Sequence, residues 1–593
     1  MKHLLGQVAF SESPSPSHSR GDVEGTDAAS NPLLLGPHIY KAGCATLAMR
    51  GEPRFRNGVS TPDLVGERIL EKFLARRDDF LRELDGSFAL IIYRHDIRRA
   101  LIAIDRMGIE RLVWSRHDGV LVAGTSAKEV STLQYKEPIL NQQALFDFML
   151  SHMIPAPDTI FRGVQKLLPG TAIEFSGEGV KELNYWKPDF SIGRNTKPED
   201  LQAQTLPLLR QAIENSAPGE NTGSFLSGGL DSSTLTGLLA DISGGSAKAF
   251  SVGFGVQEFD ELSYARLAAK TFGCSHFEYQ VTPDDIVRLV PRIAASYDEP
   301  FGNSSAVPTL CCAILAAENG VDHLIAGDGG DEIFGGNERY ARQRVFEVYK
   351  RIPTPIRKLL LDPLAAKFDS RSSWLPFRKY SSYVEQANIL LPERFESWNL
   401  IYREGPENVF STEFLQNIDI NFPLQRMQSV WNSCPSSDLL DRMLWYDWKF
   451  TLADNDLRKV SRMCEIAGVR ASYPMLDEIF VEHSMKIPSK MKMTGSELRV
   501  FFKQVIADFL PTEIINKEKH GFGLPFGQWL KEHHGLQEFV RESLNSLQER
   551  NIIHPQFIER VAKEQRDGHA SYYGYAIWDL VMMEQWLASH GYN

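Results

Sequence analysis

The sequence predicts an α/β protein with two domains, a layered antiparallel front domain and a rear domain built around a parallel sheet. Short β-rich runs with few helices occupy residues 33–187, whereas strands alternate with helices after residue 198. The first pattern is typical of antiparallel layers and the second of a parallel sheet covered by helices. The length of 593 residues also exceeds what one hydrophobic core supports. We therefore expect a front domain over 33–187 and a rear domain over 198–593 that ends in a helical part.

A flexible segment is expected to precede the front domain. Residues 11–32 are rich in Ser, Pro, Gly and Asp, which disfavours a packed core, so residues 1–32 are predicted to be flexible. The apolar runs Phe88–Tyr93 and Ala100–Ile104 flank a polar turn and predict a β-hairpin. The polar stretch 187–197 is typical of a linker. Further short strands are predicted at 112–114, 120–123 and 172–175.

Beyond the linker, the elements alternate as a parallel sheet requires. A strand that ends at Phe225 is followed by a helix that is expected to begin near Ser233. Two further strands are predicted at 249–254 and 323–326, and the residues beyond Glu338 are predicted to be mainly helical. Helices are expected at 261–271, 439–450 and 497–509.

Composition excludes several classes of protein. The chain is 43% apolar and 24% charged with a net charge of −12, and it has no dense Lys/Arg block and no apolar run long enough to span a membrane. We expect no nucleic-acid partner and no membrane partner. The first residues lack the long apolar core of a secretory signal, which predicts a cytoplasmic location. The six cysteines are scattered, without zinc-ligand spacing.

The most informative motif is the turn Ser227-Gly-Gly-Leu-Asp-Ser232, which follows a strand and opens a helix. Gly228 and Gly229 lack a Cβ, so the backbone can curl around an anion and direct its N–H groups inward. The N-terminus of the helix adds a positive dipole end. The Walker A pattern fails, since Gly229 and Leu230 stand where Lys and Ser/Thr are required. The loop instead resembles the PP-loop of ATP pyrophosphatases and predicts a pyrophosphate site.

A second, acidic turn follows the predicted strand 323–326. It reads Gly327-Asp-Gly-Gly-Asp331 and continues into a short helix. Carboxyl ends of neighbouring parallel strands meet at one edge of the sheet, which places Asp231 and Asp331 together. Magnesium prefers oxygen ligands and usually bridges carboxylates to phosphates. The two aspartates are therefore predicted to hold a magnesium–pyrophosphate group.

These motifs occur in the order seen in the asparagine synthetase family, which the chain resembles over nearly its whole length. The resemblance rests on the two turns together with Asp298-Glu-Pro300, Lys519-His-Gly-Phe-Gly-Leu-Pro525, Leu84-Asp-Gly-Ser-Phe-Ala89, Asp105-Arg-Met-Gly-Ile109 and Leu168-Pro-Gly170. It implies an Ntn-hydrolase-like αββα front domain of the glutaminase type and an adenine-nucleotide α-hydrolase-like rear domain of the PP-loop type.

The resemblance also implies a chemistry, the adenylation of a carboxylate by ATP with release of pyrophosphate, followed by attack of an amine that displaces AMP. The cofactors implied are ATP and Mg²⁺, with Asp231 and Asp331 as metal ligands. Implied catalytic residues are Asp328, which suits deprotonation of the amine, Arg499 and Lys519. Residues implied to bind ATP or pyrophosphate are Leu226, Ser227, Gly228, Gly229, Leu230, Asp231, Ser232, Ser233, Ser251, Val252, Gly253 and Gly327.

Several positions depart from the family's pattern. The segments Ser461–Glu465 and Arg470–Asp477 differ from those of asparagine synthetases, so the groups that recognise a small acid have changed. Lys2 stands where a glutamine-hydrolysing member needs a cysteine, and the internal Cys44 cannot supply a free α-amine. We therefore expect a front domain without glutaminase activity. The position of the family's catalytic lysine falls on Gly495, which leaves Lys492 or Arg499 to replace it. Arg499 does not act as a base, because its guanidinium stays protonated.

The departures make the chain most similar to members with a vestigial glutaminase, such as lasso-peptide macrolactam cyclases. In such enzymes the amine belongs to the substrate itself, and holding both reacting groups in one molecule removes the entropy cost of a second encounter. The implied partners are a carboxylate substrate in a precursor peptide and a peptidase or leader-binding protein. Three alternatives stay open: an asparagine synthetase or related enzyme that uses free ammonia, a catalytically silent scaffold, and a tRNA-modifying PP-loop enzyme.

Overall fold

The computed structural model describes residues 3–9, 33–56, 61–75, 78–135, 137–190, 196–216, 218–367, 375–518 and 523–592. The prediction of a flexible segment over residues 1–32 is wrong for Leu5–Ala9, which form a strand in the middle of a sheet. The rest of that prediction, from residue 10 onward, lies outside the described residues. The front domain therefore includes residues 5–9 as well as residues from 33 on.

The front domain consists mainly of short strands with three helices in its described part. The strands are β1 Leu5–Ala9, β2 Leu33–Leu35, β3 His38–Ala42, β4 Ala45–Gly51, β5 Arg54–Phe55, β6 Leu84–Asp85, β7 Phe88–Arg94, β8 Arg99–Ile104, β9 Val113–His117, β10 Val120–Gly124, β11 Gln165–Lys166, β12 Thr171–Ser176 and β13 Gly179–Asn184. The helices are α1 Pro62–Leu74, α2 Ala127–Tyr135 and α3 Gln142–Ser151, and a 3₁₀ turn spans Asp78–Arg82.

Two antiparallel sheets stack face to face in this domain. In the described chain one sheet has the order β11-β9-β10-β1-β2 and the other β13-β12-β8-β7-β4-β3. Strand β7 explains the layering: Leu90 and Ile92 pack under α1, whereas Ala89 and Ile91 face the other sheet. Both faces of β7 are buried, which accounts for its unbroken apolar run. The predicted hairpin is confirmed as β7 and β8.

The rear domain begins with a helix and then alternates strands with helices. Its strands are β14 Thr222–Phe225, β15 Lys248–Gly253, β16 Ser275–Gln280, β17 His323–Ile325 and β18 Arg470–Ser472. The helices that accompany them are α4 Pro198–Asn215, α5 Leu230–Ile242, α6 Leu262–Phe272, α7 Pro283–Ser296, α8 Ala306–Glu318 and α9 Gly330–Phe334.

Helices dominate after α9, as expected. They are α10 Glu338–Lys350, α11 Thr354–Ile356, α12 Asp362–Lys367, α13 Leu375–Asn388, α14 Leu400–Glu404, α15 Pro406–Val409, α16 Thr412–Leu415, α17 Phe422–Asn432, α18 Leu439–Asp447, α19 Leu457–Ala467, α20 Glu478–Lys486, α21 Ser489–Lys492, α22 Val500–Val505, α23 Thr512–Ile515, α24 Phe526–Glu532, α25 His534–Glu549, α26 Pro555–Asp567 and α27 Ala570–Ser589. The remaining helical turns are 3₁₀ at Glu393–Glu396 and Pro474–Leu476, and π-type at Arg357–Leu361 and Trp448–Asp456.

The rear sheet is parallel, and its strand order positions the site. The order is β16-β15-β14-β17-β18, with Phe225 opposite Phe250 on one side and Ser224 opposite Ile325 on the other. From the central strand β14 the chain adds β15 and β16 on one side, and then it crosses to add β17 and β18 on the other side. A sheet of this kind leaves a crevice at the carboxyl ends of the strands where the direction changes. Both sequence turns, after β14 and after β17, border that crevice.

Three predicted helices differ from those observed by more than one residue at an end. The helix after the first turn begins at Leu230 rather than near Ser233. The helix predicted at 439–450 ends at Asp447 and continues as a π-helical turn. The helix predicted at 497–509 is only α22, because Arg499 has a left-handed backbone with φ 56°. Across the described ranges, no helix combines the length and apolarity needed to cross a lipid bilayer.

Candidate active site

The first turn is closed by its own serines. The Ser227 and Ser232 hydroxyl oxygens lie 3.0 Å apart, and the Gly229 N–H donates to Ser227 Oγ at 3.3 Å. Gly228 has φ 75°, and a Cβ on it would lie 2.6 Å from the Ala265 backbone nitrogen. The loop therefore requires glycine at this position, and it runs directly into the N-terminus of α5. A glycine-containing loop that leads into a helix N-terminus is suited to an anion.

The predicted nucleotide contacts fall into two groups. Leu226, Ser233 and Ser251 are buried, and the Ser251 hydroxyl lies 2.7 Å from His276 Nε2. The Ser233 hydroxyl has no hydrogen-bond partner among the described residues. The side chains of these three residues are therefore enclosed, whereas six members of the set are partly exposed: Ser227, Gly229, Leu230, Asp231, Val252 and Gly327. The other three residues predicted to bind the nucleotide, Gly228, Ser232 and Gly253, are buried.

The second turn packs tightly against the first. A Cβ on Gly327 would lie 3.2 Å from the Asp231 Cβ, and one on Gly330 would lie 2.4 Å from Asp231 Oδ1. Gly329 has φ 98° and faces Leu476. The glycines that the sequence places in this turn are thus needed for close approach, and they let the acidic groups of both turns share one space.

Arg499 joins the two aspartates. Its Nη1 and Nη2 donate to Asp231 Oδ1 and Oδ2, each at 2.6 Å, and Nη2 also donates to Asp331. Burial alone would lower the pKa of the Arg499 guanidinium, but the charges of Asp231 and Asp331 outweigh it and raise the pKa. The side chains of Asp231 and Asp331 remain 17% and 29% exposed. The structure thus brings together two carboxylates that one guanidinium can reach.

The donor chemistry of this pair fits magnesium. No group of three or more His, Cys, Asp or Glu side chains suited to a metal occurs among the described residues. Magnesium nevertheless needs only one or two carboxylates when phosphate oxygens and waters complete its octahedron. Asp231 and Asp331 supply such carboxylates at the open side of the crevice.

The two alternatives for the missing lysine have different charged neighbours. Lys492 is buried, and burial lowers its pKa to about 8 while Asp441 and Asp438 oppose that change. Its charged neighbours are thus not those of the two turns, where Arg499 lies. Lys519 lies outside the described residues. Two residues before it, Lys517 Nζ lies 2.6 Å from Glu261 at the start of α6.

Asp328 has a partner that the sequence reasoning missed. Lys459 Nζ lies 3.9 Å from Asp328 Oδ1 and 3.1 Å from Asp456 Oδ1. Burial raises the pKa of Asp328 to about 6, and the Lys459 charge partly offsets that effect. Lys459 is on α19, two residues before Ser461, where the chain departs from the family's pattern. That proximity is the only signal in the sequence that points to it.

An aromatic cleft lies between the loop that precedes α6 and helices α24 and α27. Its apolar walls include Phe259, Leu524 and Trp578, and Ser304 and Gln528 add polar groups. The Trp578 indole N–H is buried and has no hydrogen-bond partner within the described ranges. Phe259 lies in the loop between β15 and α6, which leaves the carboxyl end of the parallel sheet.

Fold and site define a two-domain enzyme with a PP-loop type of parallel sheet, and comparison with known proteins gives the family. The asparagine synthase family model matches residues 205–588, and the glutamine amidotransferase domain model matches residues 59–186. The chain therefore belongs to the asparagine synthase family of ATP-dependent amidating ligases.

Similar proteins support this assignment over most of the chain. Asparagine synthetase [glutamine-hydrolyzing] 1 of Bacillus subtilis is 23% identical over 90% of this chain and 81% of its own length. A putative asparagine synthetase [glutamine-hydrolyzing] of Mycobacterium tuberculosis is 24% identical over 94% of this chain and 84% of its own length. Amidase chry2 of Gibberella zeae is 23% identical over 76% of this chain and 71% of its own length.

Proposed function

We propose that this protein adenylates a carboxylate with ATP, releases pyrophosphate, and joins the acyl group to an amine of the same substrate molecule, as a lasso-peptide-type macrolactam cyclase does. The observation that carries the adenylation is the cluster of Asp231, Arg499 and Asp331 between two glycine-lined turns at the sheet's crevice. A buried cation between carboxylates, beside a helix N-terminus, suits a polyphosphate.

In the first step a carboxylate oxygen of the substrate attacks the α-phosphorus of ATP, and the bond to the β,γ-pyrophosphate breaks. The turn at Ser227–Ser232 and the N-terminus of α5 bind the departing pyrophosphate. Asp231 and Asp331 would hold Mg²⁺, which when bound offsets phosphate charge. Arg499 keeps both carboxylates in place. Lys519 is proposed to supply a further positive charge.

In the second step the amine loses a proton to Asp328, and its nitrogen attacks the acyl carbon so that AMP leaves. A carboxylate with a pKa of about 6 is ionised at neutral pH and still accepts a proton. Lys459, as a positioning residue, favours the ionised form of Asp328.

Two features favour a peptide over free aspartate and ammonia. The first is the aromatic cleft at Phe259 and Trp578, which suits apolar side chains and offers an indole donor to a peptide carbonyl. The second is the engagement of residues 470–477 by the front domain, since Arg470 pairs with Glu52, and Asp477 accepts from Arg54 Nη2 at 2.6 Å. These side chains are therefore not free to recognise a small acid.

The front domain is proposed not to hydrolyse glutamine. Glu478 of the rear domain accepts a hydrogen bond from the Gly86 N–H at 2.9 Å and from Arg54 at 3.2 Å. A rear-domain carboxylate thus occupies donors of the front domain. In this proposal the domain braces the rear domain rather than producing ammonia.

The test is pyrophosphate release by the purified protein with ATP and Mg²⁺. We expect release with synthetic peptides that carry an N-terminal glycine and one internal Asp or Glu, together with a product lighter by one water, and no release with aspartate plus ammonium. Asp231→Asn and Asp331→Asn should abolish release, whereas Cys44→Ala should leave it unchanged. Asparagine formed from ammonium would replace the cyclase assignment with the ammonia alternative. ADP and phosphate as products would overturn the proposed chemistry altogether.

A further inference from the structure

Exposed apolar side chains are concentrated in one helical segment far from the proposed chemistry in sequence. Of the seventeen large apolar side chains that are exposed in the described chain, six lie between residues 345 and 364. Leu359 and Leu360 are 75% and 65% exposed, and Ile356 and Leu364 are 45% and 46% exposed. Apolar groups gathered in this way mark a surface that is covered in use.

The segment is held with these side chains outward. Helices α11 and α12 and the π turn between them form one helical run over 354–367. Leu361 and Ala365 of this run pack into a small core with Tyr349, whose hydroxyl donates to Asp362 Oδ1 at 2.6 Å. Since the inner side of the run is already occupied, the outward leucines cannot turn inward.

The segment that carries these side chains is basic within an acidic chain. Residues 338–367 contain eight Lys and Arg against three Asp and Glu, a net charge of +5, whereas the whole chain has −12. Arg351, Lys358 and Lys367 form no ion pair with another described residue. We call Ile356, Leu359, Leu360 and Leu364 with these three cations the basic leucine face.

We propose that the basic leucine face binds the surface of an anionic lipid bilayer. Leucines that are two-thirds exposed protrude from the molecule, and the boundary between headgroups and acyl chains accepts protruding apolar side chains without a shaped groove. Flanking Lys and Arg extend to the headgroups and are attracted by negative lipids. This peripheral contact departs from our expectation of no membrane partner, which rested on the lack of a spanning segment.

The test is sedimentation of the full chain with vesicles of phosphatidylcholine alone or mixed with phosphatidylglycerol. We expect binding to the mixed vesicles, weakened by salt, and little binding to phosphatidylcholine. The double variant Leu359→Ser/Leu360→Ser and the double variant Lys358→Glu/Lys367→Glu should each lower the bound fraction about tenfold. The control Leu64→Ser/Ile139→Ser changes two front-domain side chains that are 55% and 59% exposed and should bind like the parent.

Other outcomes overturn the proposal. Equal binding to neutral vesicles, or parent-like binding by both double variants, would remove the lipid assignment. A dimer in light scattering that Leu359→Ser/Leu360→Ser dissociates, without vesicle binding, would make the face a contact between two copies. Binding of poly-glutamate instead of vesicles would assign it to an acidic polypeptide. Unchanged circular dichroism and melting temperature establish that the variants fold, and no measurement depends on ATP chemistry.

Discussion

At the scale of single residues, burial and charge assign different tasks to the acidic groups of the site. Asp231 and Asp331 share the Arg499 guanidinium. Asp328 lies beside the more distant Lys459 at 3.9 Å, and burial raises its pKa to about 6. Carboxylates with such different partners are candidates for different roles, here binding of phosphate charge for Asp231 and Asp331 and transfer of a proton for Asp328.

The pair of Asp328 and Lys459 gives a pH prediction. If ionised Asp328 accepts the amine proton, amide formation should fall as the pH drops below about 6, because protonation removes the base. Lys459→Met removes a charge that lowers the pKa of Asp328, so the acid limb should move upward by at least about one pH unit. The measurement is a pH–rate profile of product formation. An unmoved limb in Lys459→Met would contradict the positioning role.

The two glycine-rich turns could be predicted from the sequence, whereas the contact between Lys459 and Asp328 could not. Gly228, Gly330 and their neighbours carry a local signal, since a glycine-rich turn between a strand and a helix has few other uses. Lys459 meets Asp328 only through the packing of α19 against the sheet, which no local pattern encodes. The inward orientation of Ser251 follows likewise from its contact with His276 on a neighbouring strand.

At the scale of elements, the site depends on how closely the short helix α9 approaches α22. A Cβ on Gly336, just after α9, would lie 1.9 Å from Asp331 Oδ1 and 2.1 Å from Arg499 Nε. The predicted helix 497–509 would have placed Arg499 inside a regular helix. Its left-handed backbone instead ends the preceding loop and starts α22. Sequence periodicity does not detect such a change, because the backbone follows the ion pairs that Arg499 makes.

Gly336→Ala should therefore disable the site without unfolding the domain. The added methyl group must displace Asp331 or Arg499, so we expect pyrophosphate release to fall about a hundredfold or more, with a melting temperature close to that of the parent. The control is Gly219→Ala, where a Cβ would meet no atom within 4 Å. Parent-like activity of Gly336→Ala would show that the close packing of α9 and α22 is unnecessary for catalysis.

At the scale of the whole molecule, buried ion pairs join the two domains. Arg54 reaches Asp477 and Glu478 of the rear domain, and Arg111 and Lys166 reach Glu299 at 2.9 and 2.8 Å. The fold class and the order of the two domains could be predicted from strand patterns and motifs. The set of ion pairs between the domains, which we call the seam, could not. Its arginines occur in the front domain without a local signal, and their partners lie more than 180 residues away along the chain.

Removing one member of the seam should cost more stability than removing a surface pair. Arg54→Met leaves the buried Asp477 and Glu478 without their shared cation, so we expect the free energy of unfolding to fall by about 3 kcal/mol near neutral pH. The loss should shrink as the pH falls, because protonation neutralises both carboxylates, whose pKa values burial already raises.

The matched control, Arg541→Met, breaks an exposed pair with Glu538 at 3.2 Å and should cost at most about 1 kcal/mol. Denaturant titrations at two pH values measure both effects. An equal loss in the two variants, or a loss at the seam that grows in acid, would mean that packing rather than charge joins the domains.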